Sequence, residues 1–153
     1  MSREKFEIDA SKLNIKSIVE ELWINMRKEM IICIIIIALI IITNIIAQNY
    51  TKNCVEDITN GLYDLEDNIL KKQNENQIFQ KIYDIDTKWH KFHNTLAFYI
   101  EHDELEKVET EISNIKGLEK TNKYDDMLPQ IEECIFLLEH IRDKHTLTAI
   151  NIF

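Results

Sequence analysis

Residues Met30 to Ala47 read MIICIIIIALIIITNIIA, 18 positions without a charged side chain. At about 1.5 Å rise per residue, a helix of that length covers about 27 Å, close to the ~30 Å hydrocarbon core of a bilayer. A core helix of a soluble protein carries a polar face. This run has none: beyond Cys33, its only polar side chains are Thr43 and Asn44, near its C-terminal end. The run therefore predicts a transmembrane helix. A cleaved signal peptide fits less well. The region before the run is 29 residues long, the run exceeds the usual ~7–15-residue apolar region, and Ile45 stands where a small residue is wanted ahead of Ala47. The expectation is an uncleaved signal anchor.

The flanks give an orientation. Arg27 and Lys28 stand directly before the run, and only Lys52 lies close after it. The excess of cations on the N-terminal side predicts a cytoplasmic N-terminus and an extracytoplasmic C-terminal domain. The chain of 153 residues carries 18 Lys+Arg against 27 Asp+Glu, a net charge of -9. Residues 1–29 hold 6 basic and 6 acidic side chains, and residues 48–153 hold 12 and 21, so the whole excess lies beyond the run. An acidic domain argues against nucleic-acid binding, which needs a basic footprint. With 2 Gly and 1 Pro, the chain lacks the turn residues of a sandwich, a barrel or a phosphate loop. Three cysteines do not make a disulfide scaffold.

Ahead of the run, Ile15, Ile18, Val19, Leu22, Trp23 and Met26 recur at helical spacing, with Ser11 as a candidate N-cap. Trp23, so close to a bilayer surface, suits the interfacial aromatic belt or a cytoplasmic contact. A plain extension of the membrane helix accounts for the same pattern.

Four apolar stripes follow the run. Val55, Ile58, Leu62, Leu65 and Ile69 form the first, and Ile78, Ile82, Ile85, Trp89, Phe92, Leu96 and Tyr99 the second. Leu105, Val108, Ile112 and Ile115 form the third, and Met127, Ile131, Cys134, Leu138 and Ile141 the fourth. Steps of three and four place each set on one helix face, which has to be buried. The predicted fold is all-α, one transmembrane helix followed by an antiparallel helical bundle of about four helices. The expected division is a cytoplasmic arm over 1–29, the signal anchor over 30–47 and the bundle with an apolar tail over 48–153. Residues 72–76 are a polar break. Asp103, with Glu106 three residues on, is a candidate capping box opening the third helix. Gly117 weakens the end of that helix, Thr121–Asn122 provide a turn, and Pro129 belongs in the first turn of the fourth. Gly61 interrupts the first stripe.

The chemistry-bearing residues do not converge. His90 and His93 flank the Trp89–Phe92 stripe, and His102 with Asp103 and Glu104 sits at a junction, but no HExxH or paired CxxC occurs. There is no GxSxG, SxxK or nucleotide loop. The expectation is a non-enzyme with no cofactor and no metal. Cys54 and Cys134 are open to two readings, a disulfide or core filling.

The stretch WHKFHNTLAFYIEHDELEKVE over 89–109, followed by IFLLEHIRDKHTLTAINIF over 135–153, resembles the uncharacterised bacterial family known as domain of unknown function 4363. The ordered combination of a Trp-containing helix, IEHDE, LLEHI and a closing NIF carries the resemblance, which extends over roughly residues 30–153. It implies a membrane-anchored helical protein and no activity. In that family the closing Asn stands out, which maps here to Asn151. The 29 residues before the run depart from the pattern, since members start almost at the membrane segment.

The expectation is a single-pass membrane protein acting through protein contacts, with a protein partner or a second copy of itself, as an accessory or assembly subunit at the cell envelope. The candidate contact residues are Trp23, Phe98, Asn151 and Phe153. Phe98 lies off its helix's stripe and is the expected surface aromatic. The apolar tail Leu147, Ile150, Ile152 and Phe153 suits either a plug on the bundle or a docking peptide. The rival reading is an extracytoplasmic sensor holding a small ligand between helices.

Overall fold

A computed structural model describes residues 3–147, and Asn151 and Phe153 lie outside them. Four helices make up that range: α1 over Arg3–Leu70, α2 over Glu75–Leu96, α3 over His102–Glu119 and α4 over Met127–Leu147. The chain divides into two compact units, Met1–Ile45 and Ile46–Phe153, with the boundary inside α1.

In the first unit the apolar run is bare. Every large apolar side chain from Met30 to Ile45 is more than half exposed. Thr43 donates from Oγ1 to the Leu39 carbonyl at 2.6 Å, so the hydroxyl is satisfied within its own helix. Among the described residues, α1 is the one helix long and apolar enough to cross a membrane.

The second unit is a four-helix bundle built from the end of α1 with α2, α3 and α4. Its polar rim sets the order. Lys81 pairs with Asp64 at 2.7 Å and Lys88 with Asp57 at 2.8 Å, so α2 runs back along α1. Lys116 pairs with Asp86 at 2.7 Å and the Trp89 indole donates to Glu109, so α3 runs antiparallel to α2. Asn114 meets Gln130 at 3.4 Å and Lys144 meets Glu104 at 2.7 Å, so α4 reverses once more. The core is the four stripes themselves: all members expected from the sequence are buried except Phe92, which is half-buried, and Tyr99. Ile100 and Ile135 join them. Gly61 does not break α1. A Cβ there would sit 3.1 Å from Ile85 Cγ1, so the missing side chain is what lets α1 and α2 close.

The helix ends have local causes. Lys72 adopts φ 50° and Asn122 φ 53°, left-handed positions that close α1 and α3. Gln73 N–H donates to Asn68 O at 2.9 Å, and Lys123 N–H to Leu118 O at 3.0 Å, the six-to-one bond of a Schellman ending. The Asn74 side chain caps α2 by accepting from the Asn76 N–H at 3.0 Å. Pro129 is the third residue of α4, where no intrahelical N–H is lost.

Two sequence expectations change at the second connection. The seam does not continue helically to Tyr99, because α2 stops at Leu96 and residues 97–100 turn. The Ile100 N–H closes back on Leu96 O at 2.9 Å, which buries Ile100 below Leu96 in place of Tyr99. The capping box does not form either. Glu101 occupies the N-cap without a side-chain capping bond, its carboxylate pairing instead with Lys144 at 3.2 Å, and α3 starts at His102. Glu106 then pairs with His102 at 3.0 Å instead of reaching back to Asp103. Asp103 instead sits in the first turn, where its charge favours the helix N-terminus.

Candidate functional site

The turn between α2 and α3 exposes the most solvent-open large apolar side chain of the described residues, Phe98, at 89 %. Its neighbour Tyr99 is tied down. The Tyr99 hydroxyl shares a 3.0 Å hydrogen bond with Thr51 Oγ1 and lies 3.4 Å from the Ala47 carbonyl. Thr51 is buried and donates to that same carbonyl at 3.0 Å. Burial pushes the Tyr99 phenol up from its ordinary value, with the Thr51 bond acting the other way. The turn is thus tied through Tyr99 to the residue that ends the apolar run.

Trp23 stands on α1 in the first unit and is 60 % exposed. Phe98 belongs to the second unit. The other two candidate contact residues, Asn151 and Phe153, fall outside the described residues.

A second surface was not foreseen. Tyr63 of α1 and Phe136 of α4, 50 % and 63 % exposed, line one groove of about 360 Å³ together with Ile135, Glu66, Glu132 and Glu139. Phe136 stacks on His140, with ring centroids 6.4 Å apart and planes 21° from parallel. Arg142 reaches Glu139 at 3.8 Å at one edge. The groove is therefore lined by two exposed aromatic rings, the buried Ile135 and three carboxylates. The signal in the sequence is faint: both aromatics sit off the core stripes, and single exposed aromatics are ordinary on a protein surface.

The histidines pair locally. His90 Nδ1 is 3.5 Å from Asp86 and His90 Nε2 is 3.8 Å from Glu109, beside the Asp86–Lys116 pair that joins α2 to α3. His93 lies edge-on to the Trp89 ring at 5.7 Å. Among the described residues, no group of three or more His, Cys, Asp or Glu side chains is placed to hold a metal ion.

Of the two readings of Cys54 and Cys134, the structure gives core filling. Both thiols are free and buried. Tyr63 and Phe136 share a groove across the antiparallel α1 and α4, so Cys134 lies near the level of Leu65. That is about 16 Å along the axis from Cys54 at 1.5 Å per residue, against the ~5.5 Å Cα separation that a disulfide needs. Burial, then the Glu111 charge, pushes the Cys134 thiol up to about 12. Burial also raises Cys54. A water-soluble disulfide reagent at pH 8 should therefore modify neither thiol in the native protein and both in denaturant, read by mass spectrometry. Rapid native labelling of Cys134 would contradict its burial. Because the folded value is raised, the unfolded chain loses this proton first. The domain's stability should fall as pH rises from about 8.5 towards 12.

The sequence model of the family described as Domain of unknown function (DUF4363) matches residues 45–152. The chain belongs to this family. The DUF4363 match begins at the end of the apolar run rather than at residue 30, so it covers the four-helix bundle and leaves out most of the run and the arm before it. Both the turn with Phe98 and the groove with Tyr63 and Phe136 lie inside the DUF4363 region. No curated protein and no solved structure matches the chain.

Proposed function

We propose that this DUF4363 protein is a non-enzymatic, single-pass membrane protein that acts by protein contact, as an accessory or assembly subunit at the cell envelope. Residues 30–47 form the signal anchor. The arm over 1–29 lies in the cytoplasm, with Trp23 at the inner interface, and the four-helix domain lies outside. The bare apolar run supports the anchor, since soluble proteins do not leave a contiguous patch of that size to water. The cations Arg27 and Lys28 support the orientation.

The observation that carries the contact reading is the groove across α1 and α4. Aromatic side chains half open to solvent are what interface hot spots are made of. Acid-lined walls select a partner segment with Lys or Arg flanking an apolar residue. The sensor reading has less support. The apolar cavity enclosed by Cys54, Val55, Ile58, Trp89, Phe92, Leu96, Leu138 and Ile141 has no room for a water molecule, so the bundle offers no ligand chamber at that level.

The test is a photo-crosslinking residue at position 136 of the full-length protein in its native membrane, with adducts identified by mass spectrometry. The expected result is one distinct adduct, lost in the Glu66→Lys/Glu132→Lys variant. An adduct indifferent to that charge reversal would overturn the groove as the contact site. A self-adduct alone would overturn the hetero-partner and assign the groove to a second copy of the chain.

A further inference from the structure

We propose that the α2–α3 turn is a lipid-binding element: Phe98 enters the boundary between headgroups and acyl chains of the leaflet at which α1 leaves the membrane, with Tyr99 in the interfacial layer beside it. This rests on the reading of residues 30–47 as a membrane span and adds a second contact between the domain and the bilayer.

Three observations within the second unit tie the turn to the end of the run. Ile46 and Ala47, the last residues of the apolar run, belong to this unit, and Ile46 is 63 % exposed. The Tyr99 hydroxyl lies 3.4 Å from the Ala47 carbonyl and shares a 3.0 Å hydrogen bond with Thr51, which itself donates to that carbonyl. The chain enters the core at once after the run, with Thr51 and Cys54 both buried. The end of the run is therefore bonded to Tyr99 of the turn, and a surface that meets Ala47 lies one side chain's reach from Phe98, the adjacent residue.

The side chains suit that surface. Phe98 gains nothing from the bundle, since it is almost wholly exposed while Leu96 and Ile100 on either side are buried. A Phe left at the tip of a turn costs little in water and gains by entering an apolar layer. Tyr99 has the apolar ring and polar tip of residues that line membrane interfaces. A protein hot spot is instead ringed by other contact residues, as Phe136 is in the groove.

The experiment uses spin labels on the full-length protein in phosphatidylcholine vesicles, read by collision with oxygen, which partitions into lipid, and with a water-soluble nickel chelate. Labels go on native Cys33, and on Ala97→Cys or Lys120→Cys in a Cys33→Ala background. Lys120 lies at the opposite end of α3 from the turn. Ala97 and Lys120 are exposed, so neither label disturbs the core. The expected result is lipid-like access at Cys33, less nickel and more oxygen access at 97 than at 120, and loss of that difference in Phe98→Asp. Equal access at 97 and 120 with a lipid-like Cys33 would overturn the lipid contact and leave the span standing. Water-like access at Cys33 would overturn both. A label at 97 shielded from both reagents would also overturn it, since protein rather than lipid would then cover the turn.

Discussion

Trp89→Ala should cost the helical domain about 3–5 kcal/mol, the largest loss from any single truncation in it. Trp89 is 1 % exposed and reaches every helix of the bundle. From α2 its ring shares one tightly filled space with Cys54, Val55 and Ile58 of α1 and with Leu138 and Ile141 of α4. Its indole N–H donates to Glu109 of α3. Removing the ring opens a cavity between three helices that cannot collapse without moving a helix axis. The lost hydrogen bond adds little, because Glu109 keeps much of its side chain in water. A domain of this size holds only about 5–15 kcal/mol in total. The melting temperature of the purified protein, followed by near-ultraviolet circular dichroism, should therefore fall by on the order of 20 °C. Trp89→Phe keeps most of the packing and should lose much less. Phe98→Ala, made at an open turn, should change stability by less than about 0.5 kcal/mol while weakening whatever contact Phe98 makes. If Trp89→Ala and Phe98→Ala melted alike, the ring would not be the joint of the bundle.

That contrast shows where periodicity speaks and where it falls silent. Trp89 was legible as core because it falls on a stripe stepping by three and four, and a helix has one way to bury such a stripe. Phe98 was legible as surface by the same rule. The turn that contains it was not. The three-four spacing runs on through Leu96 to Tyr99, and no Gly or Pro marks the break. The break shows only in the outcome, Ile100 rather than Tyr99 taking the core position. The left-handed Lys72 and Asn122 were hidden likewise, since neither is the glycine that usually takes such a position. The groove of Tyr63 and Phe136 depends on which helices become neighbours, and a stripe identifies a buried face without naming its partner. The same ignorance left the Cys54 and Cys134 pairing open, until the antiparallel level of α1 and α4 separated the two thiols.

The Ile36→Arg/Ile40→Arg variant should leave the membrane fraction, while either single substitution should stay in it. Each Ile or Leu near the centre of a span favours insertion by about 0.3–0.6 kcal/mol, and each Arg opposes it by about 2.5–3.5 kcal/mol. The run holds 11 Ile and 1 Leu. Together these supply about 4–7 kcal/mol, enough to carry one arginine, whereas two arginines and the two lost isoleucines remove about 6–8 kcal/mol. Positions 36 and 40 lie one turn apart on the same face, so a single snorkelling motion does not relieve both. Carbonate extraction of membranes, with the protein followed by immunoblot, reads the result. Retention of the double variant in the pellet would refute the span. The same charges would also disrupt a helix buried against another protein, so a second substitution separates the two solvents of α1. Replacing every Ile from 31 to 42 by Leu preserves hydrophobicity and volume but changes the shape of every side chain. Lipid accepts that change, because insertion depends on apolar content. A packed protein interface does not, because close packing depends on branching at Cβ. An all-Leu run that remains carbonate-resistant identifies lipid as the surroundings of residues 30–47, and one that is lost from the membrane identifies protein.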